Sequence, residues 1–400
     1  MLEVMGLAIA CSFIDWKWIE REPIVTAVAI GVMVCPFVFA ILKSVITKKV
    51  RIQDLRESTK FGQYDKYRLE ALYRDTLEKL GLPDDALPVY IVGSRSINAM
   101  AMHWGLGHVF KSLNGIYLNR QSLHKLEPAE IQDIMGHELG HYYKHYLVID
   151  RFRIVTLLLG STIGVLAAQR VGFDGMFGYL ALAGVPAFFW MLSSLPHARN
   201  SQTIEYLCDD LGAQVGGVIT SIHGLLKIGL DAEVECVVLQ QAILSKVAGN
   251  FSPSELIDAV ALSIPYGHAT RAEIEEKVNR ELRARAANQT ASVGGFLNYI
   301  WNSDSDADAA EELKKEAKKI QKLQAEPRLD WEAILANPNR IEIDVERMEE
   351  LIGLIESRPI EKLFRIPESP DDAHPPLRSR ILYLWHNRNE IPGSGSKRMR

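Results

Sequence analysis

Cysteine is scarce in this 400-residue chain: Cys11, Cys35, Cys208 and Cys236 are the only four, and they lie far apart. Such spacing makes no disulfide framework and no CxxC metal site. Positive charge is not in excess either. Lys and Arg number 45 against 50 Asp and Glu, a formal net charge of −5, which argues against a nucleic-acid partner, since that requires a basic surface. The first apolar stretch, Val4 to Ile14, lacks the basic leading region and small-residue cleavage site of a signal peptide. It is also too short to cross a bilayer as an upright helix, and reads as an interfacial segment or a short, tilted first helix.

Long apolar runs, by contrast, are present. Ile24 to Leu42 is 19 uncharged residues, with Trp16 and Trp18 before it and Lys43, Lys48, Lys49, Arg51 and Arg56 after it. Its length and aromatic flank predict a membrane helix, and the basic flank predicts that the chain beyond it is cytoplasmic. Two further runs, Ile154 to Gln169 (16 residues) and Met176 to Leu195 (20 residues), are separated only by a short link. So short a link predicts a helical hairpin. Lys144, Arg151 and Arg153 precede it and Arg199 follows it, which places both ends on the cytoplasmic side.

Between the first span and the hairpin lies His137-Glu138-Leu139-Gly140-His141, an HExxH pattern. Residues i and i+4 share a helical face, so two imidazoles can reach one zinc ion, one per chain, while Glu138 accepts a proton from water beside it. The lead-in supports a helix here. Pro128 suits a first turn, Glu127 and Glu130 favour an N-terminal end, and Ile131, Ile134, Met135 and Leu139 form an apolar stripe.

A third protein ligand is needed. His145 lies eight residues beyond His137, a rise of about 12 Å, too far for rings that bind at about 2 Å. Lys144 and Leu147 stand where a longer HExxHxxGxxH motif needs its glycine and last histidine. A carboxylate from another helix remains. Just past the hairpin, Glu205 and Asp209 are i and i+4. Glu205 can complete a His₂Glu set and Asp209 can orient a ligand imidazole, although the segment taken alone also reads as a solvated acidic face.

The order HELGH, apolar hairpin, then Glu205-Tyr206-Leu207-Cys208-Asp209 resembles the HtpX-type membrane zinc endopeptidases. These gluzincins belong to the group that also holds the CAAX prenyl-protein proteases. Leu87 to Ala101 resembles the family's edge strand, and Gly115 to His141 its strand and active-site helix. The family's ExxAD has cysteine here for alanine, and Gln202 replaces a preceding arginine. The resemblance implies that the edge strand pairs with an extended substrate backbone, which makes Asn98 and Ala99 substrate-binding candidates. It also implies a late histidine and arginine near the oxyanion of the intermediate. His374 and Arg380 match the motif better in residues, while His268 and Arg271 lie at the more usual distance from Glu205.

The expected architecture is mostly α: a multi-pass membrane protein with an α+β zincin-like catalytic domain, built from a small antiparallel sheet and an active-site helix and interrupted by a transmembrane hairpin. The expected parts are residues 1–50 (N-terminal membrane region), 51–153 (catalytic, with HExxH), 154–195 (hairpin), 196–288 (catalytic, with the third ligand) and 289–400 (linker and charged helical extension). The expected activity is hydrolysis of membrane or misfolded polypeptides at a cytoplasmic site, in a bacterial cell membrane, as part of protein quality control. Prenyl-protein processing and a non-catalytic scaffold or chaperone role are the alternatives.

Overall fold

The computed structural model describes residues 2–17, 49–84, 87–93, 99–102, 115–141, 146–172, 176–244, 276–281, 322–323, 325–334, 343–359, 361–367 and 374–392. The expected span 24–42, Asn98, His145, the His268–Arg271 pair and the linker 289–308 lie outside these residues.

Four short strands form one sheet: β1 (Lys49–Arg51), β2 (Val89–Val92), β3 (Ala99–Met102) and β4 (Gly115–Asn119), in the order β1-β2-β4-β3. β1 pairs antiparallel with β2 and β3 antiparallel with β4, but β2 and β4 are parallel, with Val89 opposite Ile116. The sheet is therefore mixed, not antiparallel as expected. The cause is the β3–β4 pairing, which sends β3 to the outer edge and leaves β4 alongside β2. All five residues of β4 are buried, as a strand covered on both faces should be. Residue alternation reports burial, not strand direction, and so could not show this.

Helix α2 (Lys66–Leu80) starts where the Asp65 carboxylate accepts from Arg68 N (2.8 Å) and stops at Gly81, whose φ of 66° is left-handed. After the short α3 (Arg120–Lys125), α4 (Pro128–Gly140) opens with Pro128 and a reciprocal cap between Glu127 and Glu130. Ile131, Met135 and Leu139 on α4 join Leu69, Leu77, Ile116 and Leu118 in the first apolar core. The active-site helix is thus seated on the sheet.

Helices α5 (Tyr146–Val171) and α6 (Met176–Gly216) form the hairpin. α6 runs unbroken through residue 195, so the hairpin and the segment carrying Glu205 are one 41-residue helix. Among the described residues no helix is long and apolar enough to cross a membrane. The first apolar stretch is helix α1 (Leu2–Ser12), which lies against α5: Cys11 Sγ is 3.8 Å from Thr162 Oγ1, and the Gln169 amide both accepts from Asp15 N (3.3 Å) and donates to Asp15 O (3.0 Å).

α7 (Val218–Leu244) carries a second apolar core made with the C-terminal segment. Ile222, Leu226 and Leu230 meet Leu329, Trp331 of α8 (Trp331–Ile334), Leu351 and Ile355 of α9 (Val345–Ser357), and Ile381 and Leu384 of α10 (Leu377–His386). The Phe364 ring lies directly over Gly229, where no side chain would fit, and stacks on Trp331 at 5.5 Å. The Arg378 guanidinium donates to the backbone carbonyls of Ile355, Arg358, Pro359 and Glu361. It thereby closes the C-terminus of α9 and fixes α10 beside it.

Candidate metal centre

Two helices make the site, and glycine lets them meet. α4 carries Gly136 and Gly140, and α6 carries Gly212 and Gly216, each pair spaced i and i+4. A Cβ on Gly136 would fall 3.1 Å from Leu211 O, one on Gly212 2.8 Å from Asp133 O, and one on Gly216 2.8 Å from Ala129 O. Backbones this close need small residues on both faces of the crossing. The crossing places His137 and His141 of α4 opposite Glu205 and Asp209 of α6.

The donor groups of the three residues form a compact triangle, with a different Glu205 oxygen nearest each histidine. His137 Nε2 is 3.2 Å from His141 Nε2 and 3.4 Å from Glu205 Oε2, and His141 Nε2 is 3.2 Å from Glu205 Oε1. Ligands bound at about 2.0–2.1 Å around a tetrahedral zinc would sit about 3.4 Å apart. The three residues therefore fit one metal ion. Glu205 Oε2 points the same way: it is buried and takes no well-directed hydrogen bond, although His374 Nδ1 lies 2.9 Å from it.

Charge around the triangle is arranged in a chain. Asp209 Oδ1 is 3.0 Å from His137 Nδ1, so it orients the ring from the side away from the triangle. Arg380 grips Asp209 with both arms of its guanidinium: Nε donates to Oδ2 at 2.8 Å and Nη2 donates to Oδ1. Burial opposes protonation of His137, yet the Asp209 and Glu205 carboxylates beside it outweigh it and lift its pKa to about 10. Burial would raise Glu205, but His137, His141 and His374 hold it well below the usual carboxylate range. Burial would likewise raise Asp209, and the Arg380 guanidinium beside it lowers it instead.

Glu138 is buried on α4, one residue past the first histidine. Ala99 begins β3, the outer strand next to β4. His374 precedes α10 and keeps most of its side chain in solvent (65% exposed) while touching Glu205. Cys208 is sealed against Gly140, and burial raises its thiol pKa, which makes it an inert packing residue.

Several residues here were not visible in the motifs. Asp133, one turn before His137 on the same helical face, accepts from Ser221 Oγ of α7. Asp210 accepts from Tyr383 OH (2.8 Å), whose ring also packs on Tyr206 at 4.7 Å. The i−4 spacing of Asp133 from His137 was a usable signal. The partnership of Asp210 with Tyr383, 173 positions away, had none.

Two histidines and a glutamate on crossing helices, with a buried glutamate beside the first histidine, define a metallohydrolase centre of the HExxH class. Residues 64–221 match the model of peptidase family M48. This segment is similar to that family, and the similarity indicates a metalloprotease. The match takes in all of α4 and α6 and stops early in α7, before the C-terminal segment that supplies Arg380. No curated protein and no solved structure matches the chain.

Proposed function

We propose that the chain is a zinc endopeptidase held at a membrane, with its site on the cytoplasmic side, acting on membrane or misfolded polypeptides in protein quality control. The observation that carries the zinc reading is the triangle of His137 Nε2, His141 Nε2 and Glu205 carboxylate oxygens, spaced as tetrahedral zinc ligands are. Bound zinc would supply a Lewis acid that brings a water's pKa toward neutrality.

The remaining chemistry belongs to the chain. Glu138 takes the proton from the attacking water and passes it to the leaving amine. β3, at the sheet edge, offers backbone groups to an extended substrate near Asn98 and Ala99, which suits low sequence preference. His374, largely exposed beside Glu205, is the group free to donate to the oxyanion.

Membrane attachment is supported by the apolar run 24–42 and by the surface of the hairpin. Phe177, Leu180, Phe188, Met191 and Leu192 of α6 are all exposed, a contiguous apolar band of the kind that water-facing helices avoid. Exchange of Glu138 for Gln should leave zinc stoichiometry at one and abolish cleavage of an unmodified peptide. Undiminished cleavage by that variant would sink the mechanism, and cleavage restricted to isoprenylated peptides would turn the reading to prenyl-protein processing.

A further inference from the structure

The geometry points to Arg380 as a positioning residue for the metal: it acts through Asp209 on His137 and so makes metal retention depend on the C-terminal segment. This rests on the metal reading above and deepens it. Arg380 is inside the protein, not at the mouth of the site, and its Nε and Nη2 are committed to Asp209. Only Nη1 looks toward Glu205, and at 4.0 Å from Oε2 it makes no hydrogen bond there. Two of its three nitrogens are spent on Asp209, and the third faces the Glu205 carboxylate. What it does is hold both oxygens of Asp209, one of which faces His137 Nδ1 at 3.0 Å.

The consequence reaches along the chain. Asp209 buried without Arg380 would be an uncompensated carboxylate, free to turn from His137 or to take a proton. The ring it orients presents Nε2 to the triangle, so slack in Asp209 becomes slack in a ligand. Arg380 itself is delivered by α10, whose place is set by Arg378 on the C-terminus of α9 and by Ile381 and Leu384 in the second core. The relay thus runs from the C-terminal core through Arg380 and Asp209 to His137. Because coupling is reciprocal, metal at the triangle also strengthens the seating of α10.

The test is zinc affinity, measured by chelator competition on the full-length protein in detergent. Arg380→Met and Asp209→Asn should each weaken zinc binding on the order of 10–100-fold, the range for partners of a ligand histidine. The double variant should be no weaker than the worse single one, because both break the same relay. Tyr383→Phe, which loosens the same helix at Asp210 instead, should leave zinc affinity within about twofold. Arg380→Met that binds zinc as tightly as the wild type, whatever its turnover, would overturn the inference, and so would additive losses in the double variant. Should Arg380→Met lose its helical circular dichroism, Arg380→Lys decides, since it keeps the charge and loses the fork. Wild-type zinc affinity in that variant also overturns the relay. A wild-type protein that binds no zinc at all is a separate result, and it removes the zinc function.

Discussion

Helix α6 is one continuous rod whose two halves are built in opposite senses. In its first half the large apolar side chains face outward: Phe177 is 67% exposed and Met191 58%. In its second half the acids face inward: Glu205 is 4% exposed and Asp209 5%. Folded in water, the first half exposes what should be buried and the second buries what should be exposed. Each anomaly needs a compensating environment. For the acids it is present in the two histidines and Arg380. For the apolar band none is seen among the described residues, and the membrane proposed above would supply one.

The comparison breaks most sharply at the acid end. Glu205→Ala removes a ligand and should cost more zinc affinity than the roughly 10–100-fold attached to an outer partner, with peptide hydrolysis lost alongside. Zinc bound at wild-type strength by that variant would mean that the metal, if any, sits elsewhere. The apolar end answers to a different measurement. Glu at Phe177 and Met191 together should cost about 2.5–3.5 kcal/mol each if those positions meet hydrocarbon, seen as protein lost from the membrane fraction, with zinc affinity intact. Substitutions on a surface that meets only water would stay within about 0.5 kcal/mol, and unchanged partitioning would show that this half needs another explanation.

Where the halves meet α4 and α5, small residues set the spacing. Gly160 and Gly164 of α5 admit Phe189 and Pro186 of α6, as Gly136 and Gly140 of α4 admit Leu211 and Cys208. Gly212→Ala would put a methyl 2.8 Å from Asp133 O. That forces the ligand helices apart, at about 1–3 kcal/mol of stability. A melting temperature lower by several degrees and weaker zinc binding are expected together. Lower stability with unchanged zinc affinity would mean that the crossing tolerates movement.

How much of this was legible beforehand follows the range of each interaction. The HExxH helix, its Pro128 start and the i, i+4 pairing of Glu205 with Asp209 are local, so residue spacing was enough to find them. That the hairpin helix and the Glu205 helix are one rod was missed, because the loss of apolar residues near Ser201 looks like an ending when it is only a change of surroundings. Parallel pairing of β2 with β4 was missed because alternation carries no direction. The fork of Arg380 on Asp209 joins residues 171 positions apart. The resemblance implied that Arg380 lies near the oxyanion; the fold sets its guanidinium on Asp209, behind His137. The glycine pairs were in plain view, but their meaning lies in a helix crossing that no single segment contains.

The last expected effect depends on pH and concerns Asp133, which sits beneath that crossing. Burial lifts its pKa to about 7, against the opposing pull of the Ser221 hydroxyl, His137 and Arg380. The ordinary value of the group is 3.8, so between roughly pH 4 and 7 the folded chain keeps a proton that the unfolded chain has released. Stability from this group is complete below that window and is lost as pH rises through it, with a slope of up to about 1.4 kcal/mol per pH unit. Asn mimics the protonated acid, so Asp133→Asn should remove the slope and melt higher than the wild type at pH 8 in metal-free buffer. Melting curves of the two proteins that shift in parallel from pH 5 to 8 would show that Asp133 stays ionised in the fold. The inward-facing half of α6 would then have an ionised acid on each side of the helix crossing, faced by Ser221, Arg380 and the histidines.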